Sequence, residues 1–300
     1  MCGATVVEAA ASDTEPTSGG GWAGSAQATT AGDYELVQLL GSGTLGRVFR
    51  GVRRFDGHVA AIKLLHPHLV RSADARLRFV QEARTLRHVT HPNIGRVLDV
   101  LETEGLPTLV LEYYEGQSLR QLIEQRGAFE PFVAISILRC LAQGLGGLHS
   151  AGWVHRDVKP ENVMVLDPTG APPTDLRLLD FGLAKSLIPD GSSQTAAGTF
   201  VGSLAYAAPE QLFGEAIGPP TDWWALGVVA YEMLSAKRPF EGTTRVQMAR
   251  NVAGGLVPPI DVSHELLDWI RGLLTRDPAK RPQSAEAVIE GLERVEESLQ

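Results

Sequence analysis

The chain has 300 residues, 44% hydrophobic and 21% charged, which supports a buried core and excludes a wholly disordered or collagen-like chain. The formal net charge of −8 disfavours nonspecific nucleic-acid binding as the main role, so we expect no nucleic-acid partner. Cys2 and Cys140 are too far apart in sequence to indicate a disulfide framework or a zinc site, and they suit a reducing cytoplasm. The longest apolar runs are shorter than a bilayer span, so we expect no membrane-crossing helix.

The first 32 residues differ in composition from the rest of the chain. Twenty-two of them are Ala, Gly, Thr or Ser, and none is Lys or Arg. A secretory signal needs a basic start and a continuous apolar stretch, and this segment has neither. Because it could bury little apolar surface, we expect a disordered tail over residues 1–32.

Residues 33–114 have the pattern of a strand-rich unit with one helix. Apolar segments separated by Gly-bearing turns predict five strands, at residues 34–40, 47–52, 58–65, 96–101 and 108–113. Between the third and the fourth, a Ser72 cap and apolar residues at helical spacing predict a helix up to about residue 88.

Helical patterns dominate residues 115–299. Pro131 suits the start of a helix with one apolar stripe, and residues 223–234 are nearly all apolar, which indicates a buried helix. Two further helices are predicted at residues 264–274 and 284–299. The helix that starts at Pro131 contains three glycines, at positions 144, 146 and 147. Each of them lowers helix stability by about 1 kcal/mol relative to Ala, and no sequence feature accounts for their presence.

A glycine-rich motif, Gly-Ser-Gly-Thr-Leu-Gly at residues 41–46, lies between the first two predicted strands. Glycines between strands are most often an ordinary hairpin, but they would also let the backbone approach phosphate groups closely. Because a strand rather than a helix follows, the dinucleotide-binding fold is excluded.

A lysine and a glutamate further along the chain could serve the same phosphates. Lys63 lies on the third predicted strand, and Glu82 lies in the middle of the predicted helix. Each residue alone is more often a solvated surface charge. Together they offer a cation for phosphates and a carboxylate to hold that cation.

Three motifs in the C-terminal part carry the most specific chemistry. His-Arg-Asp-Val-Lys-Pro-Glu-Asn at 155–162 is followed by Asp-Phe-Gly at 180–182 and Ala-Pro-Glu at 208–210. The Asp of the first motif can accept a hydroxyl proton, while Asn162 and Asp180 can hold Mg²⁺ through oxygen ligands. Phosphoryl transfer needs this combination of positioning groups, cations and metal ligands.

With these five motifs in this order, the chain resembles the eukaryotic-like serine/threonine protein kinases, especially the bacterial ones, over about residues 34–299. The resemblance implies an α+β fold of two lobes: a small antiparallel β-sheet N-lobe with one helix (33–114) and a larger, mainly helical C-lobe (115–299). It implies transfer of the γ-phosphate of ATP to Ser/Thr hydroxyls of protein substrates in signal transduction. ATP and Mg²⁺ or Mn²⁺ are the implied cofactors.

The resemblance also assigns roles to individual residues. The implied catalytic residues are Asp157 as base, Lys159 near the γ-phosphate, and Lys63 paired with Glu82. The implied metal ligands are Asn162 and Asp180. The implied ATP-binding residues are Leu40, Gly41, Ser42, Gly43, Gly46, Val48, Ala61, Lys63, Leu111, Glu112, Tyr114 and Met164. Asp222 matches a buried brace of the catalytic loop, and Glu210 and Arg281 match a structural ion pair.

Regulation is implied in the segment that follows Asp180. Thr199 matches the family's main activating phosphosite, and Thr195, Ser192 and Ser193 are alternatives. We expect autophosphorylation there, with the cations of Arg156, Lys185 and Arg78 converging on the phosphate.

Two other functions compete with an active protein kinase. One is a pseudokinase that binds nucleotide as a scaffold, although such proteins usually lose the residues that match Lys63, Asp157 or Asp180, and all three are present. The other is a small-molecule phosphotransferase, which the long hydroxyl-rich segment over 180–210 disfavours. The physiological substrate, the upstream signal and the oligomeric state stay open.

Overall fold

The structure, a computed structural model, describes residues 30–43, 46–70, 73–170, 172–181 and 203–299. These residues form two units. The first contains the described residues up to His88 together with Arg96–Tyr113, and the second contains Val89–Gly95 and the described residues from Tyr114 onward.

The first unit is an antiparallel sheet with one helix, as predicted. The strands are β1 (Thr30–Ala31), β2 (Tyr34–Gly43), β3 (Gly46–Arg53), β4 (Val59–Leu65), β5 (Val97–Thr103) and β6 (Leu106–Glu112). Their order in the sheet is β1-β2-β3-β4-β6-β5. Helix α1 (Ala73–Leu86) packs against β5 and β6, and the sheet core includes the buried side chains of Tyr34, Ile62 and Val110.

The structure corrects two predicted boundaries of this unit. Thr30–Ala31 is a strand paired with Glu35 and Tyr34, and Ala31 is fully buried, so the predicted tail boundary at residue 32 is wrong. Val89–Gly95 lies inside the predicted N-lobe range but belongs to the second unit. The reason is its backbone pairing there, where the amide of Gly95 donates to the carbonyl of Leu178 at 2.9 Å.

The second unit is mainly helical and carries a small sheet of three strands, β7 (Gln117–Ser118), β8 (Val163–Val165) and β9 (Leu176–Leu178). Its helices are α2 (Leu119–Arg126), α3 (Pro131–Ser150), α4 (Pro209–Phe213), α5 (Pro219–Ser235), α6 (Arg245–Gly254), α7 (His264–Leu273) and α8 (Ala285–Ser298). Helix α5 is buried from Thr221 to Leu234, which confirms the all-apolar pattern as a core helix. Helices α2, α4 and α6 and the small sheet were not predicted.

The glycines of helix α3 are explained by close packing. A Cβ on Gly146 would lie 2.5 Å from the Cβ of Ala285 on α8, and one on Gly144 would lie 3.1 Å from the carbonyl oxygen of Asn93. A Cβ on Gly147 would lie 3.0 Å from the ring of His91. A methyl group at Gly146 would therefore force its neighbour to move, and one at Gly144 or Gly147 would make a contact tighter than most in protein interiors.

This packing predicts opposite effects of the same substitution at two helical glycines. Gly146→Ala should destabilise the chain by about 1–3 kcal/mol, because overpacking outweighs the helix propensity gained. Gly272→Ala in α7, where nothing lies within 4 Å of the added Cβ, should stabilise it by up to about 1 kcal/mol. Urea unfolding of both variants measures the difference, and two shifts of the same sign would contradict this packing.

Helix α3 is long and apolar enough, by length and composition alone, to cross a membrane. In the second unit it is a core helix: Ile135, Ile137, Leu141 and Leu145 are all fully buried. Helices α5 and α8 pack against it. The predicted absence of a membrane span stays a prediction.

Candidate active site

The glycine-rich motif forms the predicted hairpin between β2 and β3. Gly43 ends β2, Gly46 begins β3, and the two are directly paired. A Cβ on Gly46 would lie 2.0 Å from the carbonyl oxygen of Leu64 on β4, so only glycine fits there. Thr44 and Leu45, at the tip of the motif, lie outside the described residues.

The sheet places several predicted ATP-binding residues on one face. Val48 pairs directly with Lys63, and Ala61 pairs with Leu111, so these four side chains share a face. Lys63 is only 5% exposed, and a buried ammonium needs an anionic partner. The pairing of Lys63 with Glu82 stays a prediction.

The backbone at Glu112 limits which of its atoms could form a hydrogen bond with the adenine base of ATP. The amide of Glu112 donates to the carbonyl of Arg96 at 3.0 Å, so a ligand hydrogen bond to this residue would have to use the carbonyl. In the second unit, the guanidinium of Arg177 lies over the ring of Tyr114 at 5.6 Å, and Met164 pairs with Arg177 on β9. The ATP-binding roles of these residues, and of Leu40, Gly41 and Ser42, stay predictions.

The second unit brings the predicted catalytic residues together around one carboxylate. The Asp157 Oδ2 atom accepts hydrogen bonds from Lys159 Nζ at 2.9 Å and from Asn162 Nδ2 at 3.1 Å. Burial alone would lower the pKa of Lys159, but the Asp157 carboxylate and the other carboxylates nearby together outweigh burial and hold that pKa above its ordinary value. The arrangement is therefore an oriented carboxylate beside a permanent cation, which suits a proton acceptor near anionic groups.

Asn162 and Asp180 have a donor set that fits a magnesium ion. The Asn162 amide nitrogen donates to the carbonyl and the carboxylate of Asp157, which leaves the amide oxygen as its ligand atom. The Asn162 carbonyl accepts the amide of Leu179 at 2.7 Å, so Asn162 lies beside Asp180. Within the described ranges, no group of three or more His, Cys, Asp or Glu could hold a metal. One carboxylate and one amide match Mg²⁺, which usually completes its coordination with water and substrate phosphates.

The neutral imidazole of His155 links the backbone at Asp157 to the backbone at Leu179, next to Asp180. Its Nδ1 accepts the amide of Asp157 at 3.2 Å, so its Nε2 carries the proton and donates to the carbonyl of Leu179 at 3.0 Å. Burial lowers the pKa of His155, which favours this neutral form. The ring of Phe181 lies 5.9 Å away, centroid to centroid.

Two non-glycine residues at the site adopt the left-handed backbone conformation. Arg156 has φ 66° and Asp180 has φ 62°. The amide of Arg156 donates to Asp222 Oδ1 at 2.8 Å, and its carbonyl accepts from Gln211 Nε2 at 3.0 Å. Such backbone strain costs about 1–3 kcal/mol and is typical of functional sites that the surrounding structure holds in place.

Asp222 is buried and braces the catalytic segment, as the family resemblance implied. It is fully buried at the start of α5, and its carboxylate accepts three N–H donors at 2.8 Å, from His149 Nε2 and the amides of His155 and Arg156. Sequence reasoning missed His149 and Gln211, because neither stands in a motif that marks its long-range partner.

Replacing Asp222 by Asn should loosen the catalytic segment. The amide nitrogen would face one of three donors, and leaving that donor unsatisfied costs about 1–3 kcal/mol. We expect Asp222→Asn to lower the free energy of unfolding by that amount, as measured by urea unfolding. An unchanged unfolding midpoint would contradict the bracing role.

The predicted ion pair of Glu210 and Arg281 is also confirmed. The guanidinium binds the carboxylate through two hydrogen bonds of 2.7 and 2.8 Å, and both side chains are essentially unexposed. Its remaining N–H groups donate to the carbonyls of Pro220, Thr275 and Arg276, so all five donors are used.

The predicted regulatory residues are only partly described. Lys185, Thr195 and Thr199 lie outside the described residues, as do Ser192, Ser193 and Gly182. Arg78 lies exposed on helix α1. The convergence of Arg156, Lys185 and Arg78 on a phosphate therefore stays a prediction.

Comparison with known proteins identifies the family. Residues 34–291, which hold all five motifs, match the protein kinase domain family. The chain belongs to the protein kinase family. This confirms the predicted kinase fold, with an antiparallel sheet in the first unit and mostly helices in the second.

Similar proteins include two bacterial kinases and one solved structure. Serine/threonine-protein kinase pkn2 of Myxococcus xanthus is 35% identical over 276 residues, covering 89% of this chain and 33% of the relative. Serine/threonine-protein kinase PknB of Mycolicibacterium smegmatis is 34% identical over 273 residues, covering 88% of this chain and 43% of the relative. The crystal structure of Rad53 1-466 in complex with AMP-PNP superimposes with a TM-score of 0.72 at 26% identity, covering 86% of this chain and 64% of that one. The kinase domain thus spans less than half the length of these two curated relatives.

Proposed function

We propose that this kinase domain is an ATP-dependent protein serine/threonine kinase, which transfers the γ-phosphate of ATP to Ser and Thr hydroxyls of protein substrates. The observation that carries the proposal is the buried Asp157 carboxylate, oriented by Lys159 and Asn162. The relatives pkn2 and PknB, both named serine/threonine-protein kinases, support it.

The residues of the catalytic segment have distinct roles in this reaction. Asp157 accepts the proton of the substrate hydroxyl as the new oxygen–phosphorus bond forms and the bond to the leaving ADP oxygen breaks. Lys159, held as an ammonium beside Asp157, offsets negative charge at the transferred phosphate. Neutral His155 holds the backbone of Asp157, which keeps the carboxylate in place.

A divalent cation fits the family and the oxygen donors of Asn162 and Asp180. When bound, it would screen the phosphate charges that oppose attack by the hydroxyl oxygen. Both Mg²⁺ and Mn²⁺ suit these ligands, and we propose Mg²⁺ as the usual one.

In the first unit, we propose that Lys63 binds the α- and β-phosphates of ATP. Its burial on the same sheet face as Val48, Ala61 and Leu111 supports this, because that face offers an apolar surface for adenine beside a cation for phosphate. We further propose a cytoplasmic location, which rests on cysteine usage alone, and autophosphorylation at Thr199, which rests on the family match.

One assay separates this function from its alternatives. Release and transfer of γ-phosphate are measured with labelled ATP in Mg²⁺ or EDTA, with either a generic basic protein or a mixture of small alcohols as acceptor. We expect metal-dependent label on the protein acceptor, lost in Lys63→Met and Asp180→Asn. No transfer to either acceptor, with ATP binding shown by a separate titration, would identify a pseudokinase. Label on the small alcohols alone would identify a small-molecule phosphotransferase.

A further inference from the structure

A partly buried charge cluster links helix α2 to the catalytic segment. Arg120, in the first turn of α2, donates from Nε to Glu161 Oε1 at 2.9 Å. Its other two nitrogens donate to the carboxylate of Glu232 on α5, at 3.0 and 3.3 Å, and one of them also donates to the Tyr206 hydroxyl. That hydroxyl in turn donates to Glu232. One guanidinium thus connects three separate segments of the chain.

Burial makes Arg120 hard to replace in this cluster. The side chain of Glu232 is 6% exposed and that of Arg120 is 21% exposed, so the guanidinium is the cation that compensates a buried carboxylate. Burial and the nearby carboxylates raise the pKa of Tyr206, which keeps the phenol a neutral donor to Glu232. Both carboxylate oxygens of the buried Glu232 and the hydroxyl of Tyr206 therefore have hydrogen-bond partners within the cluster.

The cluster is linked to the Asp157 carboxylate because Glu161 is the sequence neighbour of Asn162. Glu161 lies in the 3-10 helix Pro160–Asn162, directly before the residue whose amide binds Asp157. Tyr206 ends another 3-10 helix, Ser203–Tyr206, which packs on α5. Arg120 therefore holds the catalytic segment at one side and the Tyr206 segment at the other.

We infer that Arg120 is a positioning residue for phosphoryl transfer, which fixes residues 157–162 relative to Tyr206 and α5. This inference rests on the proposed function. Arg120 touches none of the reacting groups and acts through Glu161 and its neighbour Asn162. Misplacing a catalytic group by even 1 Å can cost about 100-fold in rate, so loss of this anchor should appear mainly in kcat.

The test separates positioning from stability by restoring the charge balance. Arg120→Gln leaves Glu232 buried and uncompensated, so it should lose thermal stability as well as rate. In Arg120→Gln/Glu232→Gln, the melting temperature should return close to that of the wild type. In that double variant kcat should stay at least about ten-fold low, with the KM for ATP within about two-fold of the wild type.

Two further variants complete the design. Glu161→Ala should reproduce the loss of kcat with little loss of stability, because the Glu161 side chain is 46% exposed. Arg139→Gln removes a comparable ion pair to Glu296, away from the catalytic segment, and should leave kcat nearly unchanged.

Hydrogen exchange of the amides in residues 157–163 gives a readout that needs no turnover. We expect faster exchange there in the double variant and in Glu161→Ala, and wild-type exchange in Arg139→Gln. Wild-type kcat and wild-type exchange in the double variant would overturn the inference. A wild-type protein that transfers no phosphate would overturn the proposed function instead, and the exchange result would still decide whether Arg120 anchors the segment.

Discussion

Asp157→Asn should lower kcat for phosphate transfer by about 10²–10⁴-fold, which is the usual contribution of a general base. Asn keeps the shape of the side chain and still accepts a hydrogen bond from Lys159, but it cannot take up a proton. The affinity for ATP should stay close to that of the wild type, because Asp157 is assigned to the hydroxyl and not to the nucleotide. Steady-state transfer to a protein acceptor, together with nucleotide-binding titration, measures both quantities.

The matched control is Asp167→Asn, in an exposed turn of the same unit. Its rate should stay within about two-fold of the wild type, as for most surface substitutions. If Asp157→Asn retained a wild-type rate, the base would have to be another residue.

Arg281→Met should have the largest effect on stability. It leaves the Glu210 carboxylate buried without its cation and removes the donors to three backbone carbonyls. Breaking a buried ion pair from one side costs about 3–5 kcal/mol, a large part of the total stability of a typical domain. Chemical unfolding measures the loss.

The double variant Arg281→Met/Glu210→Met shows whether the uncompensated charge is the cause. Because an apolar pair can replace a buried ion pair at little cost, most of the lost stability should return. If the double variant were as unstable as the single one, the lost carbonyl hydrogen bonds would be responsible and the charge explanation would fail.

The same pair predicts a dependence of stability on pH. Burial alone would raise the pKa of Glu210, but the hydrogen bonds and charge of Arg281, together with the other hydrogen bonds to the carboxylate, outweigh burial and hold that pKa below its usual value of 4.5. The folded chain therefore binds this proton less readily than the unfolded chain. The stabilisation is present above pH 4.5 and is lost as the pH falls below that value. Below pH 4.5, the free energy of unfolding should therefore decrease less steeply with falling pH in Arg281→Met/Glu210→Met than in the wild type.

Much of the fold could be predicted because its elements have strong local signals. Alternating apolar residues marked β2 to β6, and helix α5 was marked by an apolar run that only a buried helix carries. Helix α2 was missed although it has a local signal, since Ser118 and Gln121 form a capping box at its start and Leu119, Leu122 and Ile123 lie on one buried face. Helix α6 has a weaker apolar stripe, so its burial is set mainly by tertiary contacts.

The residues of the candidate site also differ in how far they could be predicted from the sequence. Asp157, Asn162 and Asp180 lie in contiguous motifs, so their types and spacing could be recognised from the sequence. Arg120 and Glu232 are 112 positions apart, and no local pattern relates them. The α3 glycines likewise had no explanation until Ala285, far along the chain, was found against Gly146.

The central claim is that this kinase domain phosphorylates serine and threonine in proteins, and analysis of the phosphorylated residues tests it most directly. A basic protein acceptor is incubated with γ-labelled ATP and Mg²⁺, and the labelled amino acids are identified by hydrolysis and mass spectrometry. We predict label on Ser and Thr with wild-type protein, and an initial rate of labelling at least about 100-fold lower with Asp157→Asn. Label on tyrosine alone, or no label on any residue of the acceptor or of the kinase domain itself, would contradict the claim.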